Sequence, residues 1–164
     1  MRFFPILAVV VFGPVFCAAS DYMDSVLTNL QGVGLELRPL NVQSEVFELN
    51  YEEVESHALA TLEEFDVRLL SAMELDVMPG QPYLEVSIDI AHAQGPSHLY
   101  VVKLELREMA KLERPKDRVV TMSLPTWERK MMGVANRPEA ITEVMDRLLR
   151  MFADEFHRNN LSDE

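Results

Sequence analysis

Leu84-Glu85-Val86-Ser87-Ile88-Asp89-Ile90 and Tyr100-Val101-Val102-Lys103-Leu104-Glu105-Leu106 are the two stretches whose reading decides the fold. In each, apolar residues occupy the even positions and most polar ones the odd. Side chains on a strand alternate between faces, so each stretch lays four apolar groups along one side. The short polar segment between them contains Gly95-Pro96, which marks a turn. A hairpin centred on Gly95 sets Ile90 against Tyr100, Ile88 against Val102, Val86 against Leu104 and Leu84 against Leu106. A slip of one residue would move every apolar group to the wrong face, so the pattern specifies its own register. Glu85 then lies diagonal to Lys103 and Arg107.

Working outward, the second strand is expected to run to about Glu113, with a bulge at Glu108-Met109, where alternation breaks. Arg114-Pro115-Lys116-Asp117 makes a turn, and Arg118 to Leu124 reads as a further strand ending at Pro125. Upstream, Pro79-Gly80-Gln81-Pro82 is a turn preceded by a short strand at Leu75–Met78. Asn50 with Glu53 three positions on signals a helix start. Val54, Ala58, Leu62, Phe65, Leu69 and Met73 recur at helical spacing, predicting a helix over 51–73. Leu30 to Leu37, with Val33, Leu35 and Leu37 alternating, is the first strand. Asn136-Arg137-Pro138-Glu139 opens a last helix whose stripe is Ile141, Met145, Leu148, Phe152 and Phe156. Glu143–Arg147, Asp146–Arg150 and Asp154–Arg158 are spaced for ion pairs along it. The expected fold is α+β: a two-layer sandwich, order β-α-β-β-β-β-α, with a four- or five-stranded, mostly antiparallel sheet and two helices on one face.

Residues 1–19 read as a secretory signal peptide. Arg2 precedes the apolar run Phe3–Phe16, and Cys17-Ala18-Ala19 places small residues before a cleavage site. The remainder, 20–164, is expected to be one domain with an ordered core over about 30–158, exported to the periplasm or exterior. Cleavage would remove the only cysteine, which excludes thiol catalysis and thiolate metal sites from the mature chain. It would also leave no membrane span. The net charge is −12, and such acidity repels nucleic acid phosphates and anionic membrane surfaces.

No serine-hydrolase elbow, zinc-protease helix, phosphate loop or calcium-binding loop occurs in the chain, and no cofactor is expected. Two clusters remain. Trp127, Arg129, Lys130, Met131 and Met132 combine anchor residues with adaptable methionines between a strand and a helix, a composition suited to a protein partner. His92 and His98 flank the hairpin loop and, with Asp89, form a candidate zinc or copper site. Charge is also divided: residues 45–66 hold eight acids and no Lys or Arg, whereas 98–137 hold nine cations against five acids. The element order and export signal loosely resemble small periplasmic accessory domains of bacterial envelope assemblies. The expected function is therefore a non-enzymatic, exported accessory protein acting through a protein surface, with an envelope partner or itself. The alternative is a periplasmic small-molecule or metal-binding protein, including a hydrolase, using the hairpin loop.

Overall fold

The hairpin forms in the register its pattern specifies. In the computed structural model, which describes residues 26–41, 47–93, 95–115 and 118–160, β2 (Tyr83–His92) pairs antiparallel with β3 (His98–Arg114). Leu84 stands opposite Leu106, Val86 opposite Leu104, Ile88 opposite Val102 and Ile90 opposite Tyr100. The segment 1–19, read from sequence as a signal peptide, lies outside the described residues.

Four strands make one sheet in the order β1-β2-β3-β4. β1 (Gly34–Leu37) is parallel to β2, and β4 (Arg118–Ala135) is antiparallel to β3. Three helices accompany it: α1 (Tyr51–Glu64), the short α2 (Ala72–Val77) and α3 (Glu139–Asn160). The α+β class is that expected, and the order β-α-α-β-β-β-α matches the expected one except that a short helix stands where the second strand was read.

The core lies between one face of the sheet and the helices α1 and α3. Leu84, Val86, Ile88, Ile90, Val102, Leu104, Leu106 and Trp127 supply the sheet side. Val54, Ala58 and Leu62 of α1, and Ile141, Met145, Leu148, Leu149, Phe152 and Phe156 of α3, supply the helix side. Burying each large side chain contributes roughly 1.5–3 kcal/mol relative to exposure. α1 and α3 are also stapled by polar contacts. His57 Nε2 meets Asp146 Oδ1 at 2.7 Å, and the Thr61 hydroxyl donates to the same oxygen. Two of the expected pairings along α3 give way to these longer-range partners: Asp146 is taken by His57, and Glu143 pairs with Arg137 at 2.8 Å.

Three expectations are corrected. The first helix stops at Glu64, because Asp66 adopts a left-handed φ of 54° and the chain turns back. Val67–Leu70 then runs beside Val33: Val33 N–H donates to the Arg68 carbonyl and Leu70 N–H to the Val33 carbonyl. Met73, read as part of the stripe, is 81% exposed. Leu75–Val77 is helical, because Ser71 and Glu74 close a reciprocal capping box that satisfies otherwise unpaired amides at the helix start. Strand β4 does not end at Pro125. The bulge lies between Leu106 and Arg107, which face Trp127 and Pro125, so Thr126 is the extra residue. Proline lacks an N–H to donate, but on a bulged edge strand the loss is tolerated.

Candidate functional site

The alternation of β4 separates the five residues read from sequence as a partner site. Trp127, Arg129 and Met131 point toward the helices, while Lys130 and Met132 point to the open face of the sheet, opposite Lys103 and Val101. Trp127 is 1% exposed. Its Nε1 donates to Glu155 Oε2 at 2.7 Å, its ring meets Phe152 edge-on, and the Arg129 guanidinium lies over it while pairing with Glu155 at 2.9 Å. Trp127 is thus corrected from interface anchor to core residue. The indole and the guanidinium share one buried carboxylate, one on each oxygen, so losing either removes one oxygen's partner.

The candidate metal trio is also divided. His92 and His98 are direct cross-strand partners with ring centroids 5.4 Å apart, and His98 packs on Phe47. Asp89, an odd number of residues from His92 on the same strand, points from the opposite face. Among the described residues no three His, Cys, Asp or Glu side chains are grouped to hold a metal.

What the register does assemble on the open face is a row of glutamates running across all four strands. Glu36 pairs with Glu85, Glu85 with Glu105, and Glu105 with Glu128. Cations bracket the row. Lys103 reaches Glu105 at 2.9 Å, Arg107 lies 3.5 Å from Glu105 and 3.8 Å from Glu85, Arg38 approaches Glu85, and Lys130 approaches Glu128. Glu105 is buried although it lies on this face, roofed by the long side chains around it. Burial pushes the Glu85 carboxyl above its usual range, against the pull of Arg107 and Arg38. For Glu105 burial acts in the same direction, but Lys103, Arg107 and a hydrogen bond with Glu85 outweigh it and hold the group low. A hydrogen bond between the two carboxyls needs a proton on one of them, and the opposite directions of shift favour Glu85 as its holder. The row is internally compensated, so its chemistry is that of a rigid polar surface.

A cleft of about 410 Å³ opens between the starts of α1 and α3, lined in part by Glu53, His57, Glu139 and Thr142. His57 is engaged with Asp146, and the Thr142 hydroxyl donates to the Glu139 carbonyl. No base–nucleophile pair forms there from these groups.

A run of exposed apolar side chains lies elsewhere. Beyond Arg107, β3 has left β2 behind and pairs only with β4, so 108–114 and 118–124 form a two-stranded arm. Its base is clasped from the open face, where the Tyr83 hydroxyl meets Ser123 Oγ at 2.9 Å and Arg107 Nε donates to the same atom. Met109 N–H also donates to the carbonyl of Gly80 in the preceding turn. On the face that continues the core side of the sheet, Leu112, Val120, Met122 and Leu124 are 43%, 41%, 41% and 39% exposed. A second apolar group, Leu99, Met132 and Val134, stands at the far end of the open face. The individual residues of the arm are visible in sequence. That they extend past the helix layer depends on α3 and β2 ending where they do.

Comparison with family models, with curated protein sequences and with solved structures gives no match.

Proposed function

We propose that this chain is an exported, non-enzymatic accessory protein that acts by binding another protein chain through its β3–β4 arm. One observation carries the reading. Of the eleven large hydrophobic side chains that stand exposed among the described residues, five (Leu112, Val119, Val120, Met122 and Leu124) belong to the arm. Scattered exposed apolar residues are ordinary, whereas a concentration on one element that projects from the core is the mark of a docking surface. The polar glutamate row beside it would keep the rest of the sheet soluble. Lys130 and Met132 retain the partner-facing role read from sequence, as the far end of the same strand.

The export signal over residues 1–19 and the net charge of −12 support a place in the periplasm or exterior and disfavour nucleic acid as the partner. No helix among the described residues is long and apolar enough to cross a membrane.

The test is site-specific photo-crosslinking in intact cells that produce the chain. A photoreactive residue at Met122 is expected to give a discrete protein adduct, and the same residue at Glu63, exposed on α1, is not. Equal labelling from the two positions would remove the arm as the docking surface.

A further inference from the structure

The outer edge of β4 is unpaired among the described residues, since the sheet order ends there. An exposed strand edge is a template for another strand, and proteins usually guard such edges with charged residues, prolines or bulges. β4 is guarded over only half its length. Pro125, the bulge at Thr126 and the run Glu128-Arg129-Lys130 protect its second half. Val119-Val120-Thr121-Met122-Ser123-Leu124 has no charged residue and no proline, in a chain where 26% of residues are charged.

That open segment is complementary to itself. Resting on the reading of the arm as a docking surface, we propose that its occupant is a second copy of this chain, the two β4 edges pairing antiparallel about a two-fold axis at Thr121. In this register Val120 lies opposite Met122 of the second copy and Val119 opposite Ser123, each pair made twice, with Thr121 opposite itself. Cross-strand β-branched, aliphatic and Thr–Thr pairs are favourable, and no charge meets a like charge across Val119–Ser123. The apolar faces of the two arms then join into one surface: Leu112, Val120 and Met122 from one copy continue into Met122, Val120 and Leu112 of the other.

The neighbouring registers are worse. Sliding two residues one way brings Pro125, which has no N–H to donate, opposite Val119. Sliding the other way sets Arg118 opposite Met122 and cuts the uncharged pairing to Val119–Thr121. The contact is isologous, so it closes as a dimer and does not propagate.

Charge permits pairing at the same place. Two molecules of net charge −12 repel over most of their surfaces, whereas Val119–Leu124 carries no charge of either sign to set against its copy.

The experiment uses the full chain with Cys17→Ser, so that an introduced thiol is the only one. Paired residues on adjacent antiparallel strands have Cα atoms about 4.5–5.5 Å apart, within disulfide reach. Thr121→Cys is expected to form a covalent dimer on mild oxidation, roughly tenfold or more faster than Lys111→Cys, because pairing holds the two thiols at high effective concentration. Val119→Cys and Ser123→Cys are expected to cross-link when mixed far better than either does alone. Sedimentation of the Cys17→Ser chain should give a dimer, and Met122→Glu on that background a monomer with an unchanged circular dichroism spectrum. A monomeric parent chain with uncrosslinked Thr121→Cys overturns the self-pairing. If Met122 still photo-crosslinks to a different protein, only the self-pairing falls; if it labels nothing above Glu63, the reading of the arm falls with it.

Discussion

Trp127 and Glu85 show how much a single residue's meaning depends on what its neighbours do with it. Trp127 has the composition of an anchor and the position of a core residue, and its indole N–H answers a carboxylate that is itself 8% exposed. Trp127→Phe keeps most of the volume but removes that donor, and is expected to cost roughly 1–3 kcal/mol through Glu155. Urea denaturation would show this as a lower midpoint with unchanged slope; an unchanged midpoint would mean Arg129 satisfies the carboxylate alone. Glu85 gives a pH signature. Its carboxyl is raised, so its contribution is full below the unfolded value and is lost as pH rises through the folded value. Glu105 is lowered, and its contribution is lost as pH falls. Glu85→Gln donates a comparable hydrogen bond with no proton to lose. The variant should therefore exceed the parent by about 1 kcal/mol at pH 8 and match it near pH 4. Thermal melts at the two pH values test this, and a variant less stable than the parent at pH 8 would contradict the assignment of the proton.

At the scale of elements, legibility followed how local the determinants were. The β2–β3 register was readable because both strands carry an unbroken period of two, and each apolar residue found the partner the pattern named. The α3 stripe was readable for the same reason at period 3.6. The end of α1 was not, because Leu69 and Met73 extend the helical spacing past a turn set by Asp66 and by the backbone bonds of 67–70 to Val33. Helix α2 reads as a strand in sequence although Ser71 and Glu74 carry a capping signature, since six residues are too few to show a helical period. Its Glu74 carboxyl accepts from the Ser71 backbone and side chain and from Arg68, which holds it down at about 2. That contribution is present above the ordinary value of 4.5 and fades as pH falls toward about 2. Ser71→Ala removes one side of the box and should cost about 1 kcal/mol. Exchange of the α2 amides against those of α3 would locate the loss, and uniform acceleration in both would place it elsewhere. In β4, Gly133 lies under Tyr100, whose hydroxyl would stand 2.6 Å from an added Cβ. Gly133→Ala should therefore displace the ring and cost roughly 1–3 kcal/mol, read as a lower melting temperature. No loss would mean that Tyr100 can swing aside freely.

For the whole molecule, the division of labour is between a closed core and an arm outside it. Burial ends at Leu106 and Trp127, so charged substitutions farther out are expected to leave the fold alone. Val120→Lys with Met122→Lys should shift unfolding free energy by less than about 1 kcal/mol while changing association. Chemical denaturation read beside sedimentation separates the two effects, and a large loss of stability would show that the arm belongs to the core. Sequence by itself determined the class of fold, the hairpin and its register, the face each hairpin residue takes and the stripe of the last helix. These depend on periods that repeat within one segment, and solvent enforces them wherever the segment lies. Only the tertiary structure decided that Trp127 is core, that Asp89 parts from the two histidines, that four glutamates align across the sheet and that β3 and β4 outrun their cover. Each of these depends on where a second segment ends or which register it takes, and such distances belong to no single stretch of chain.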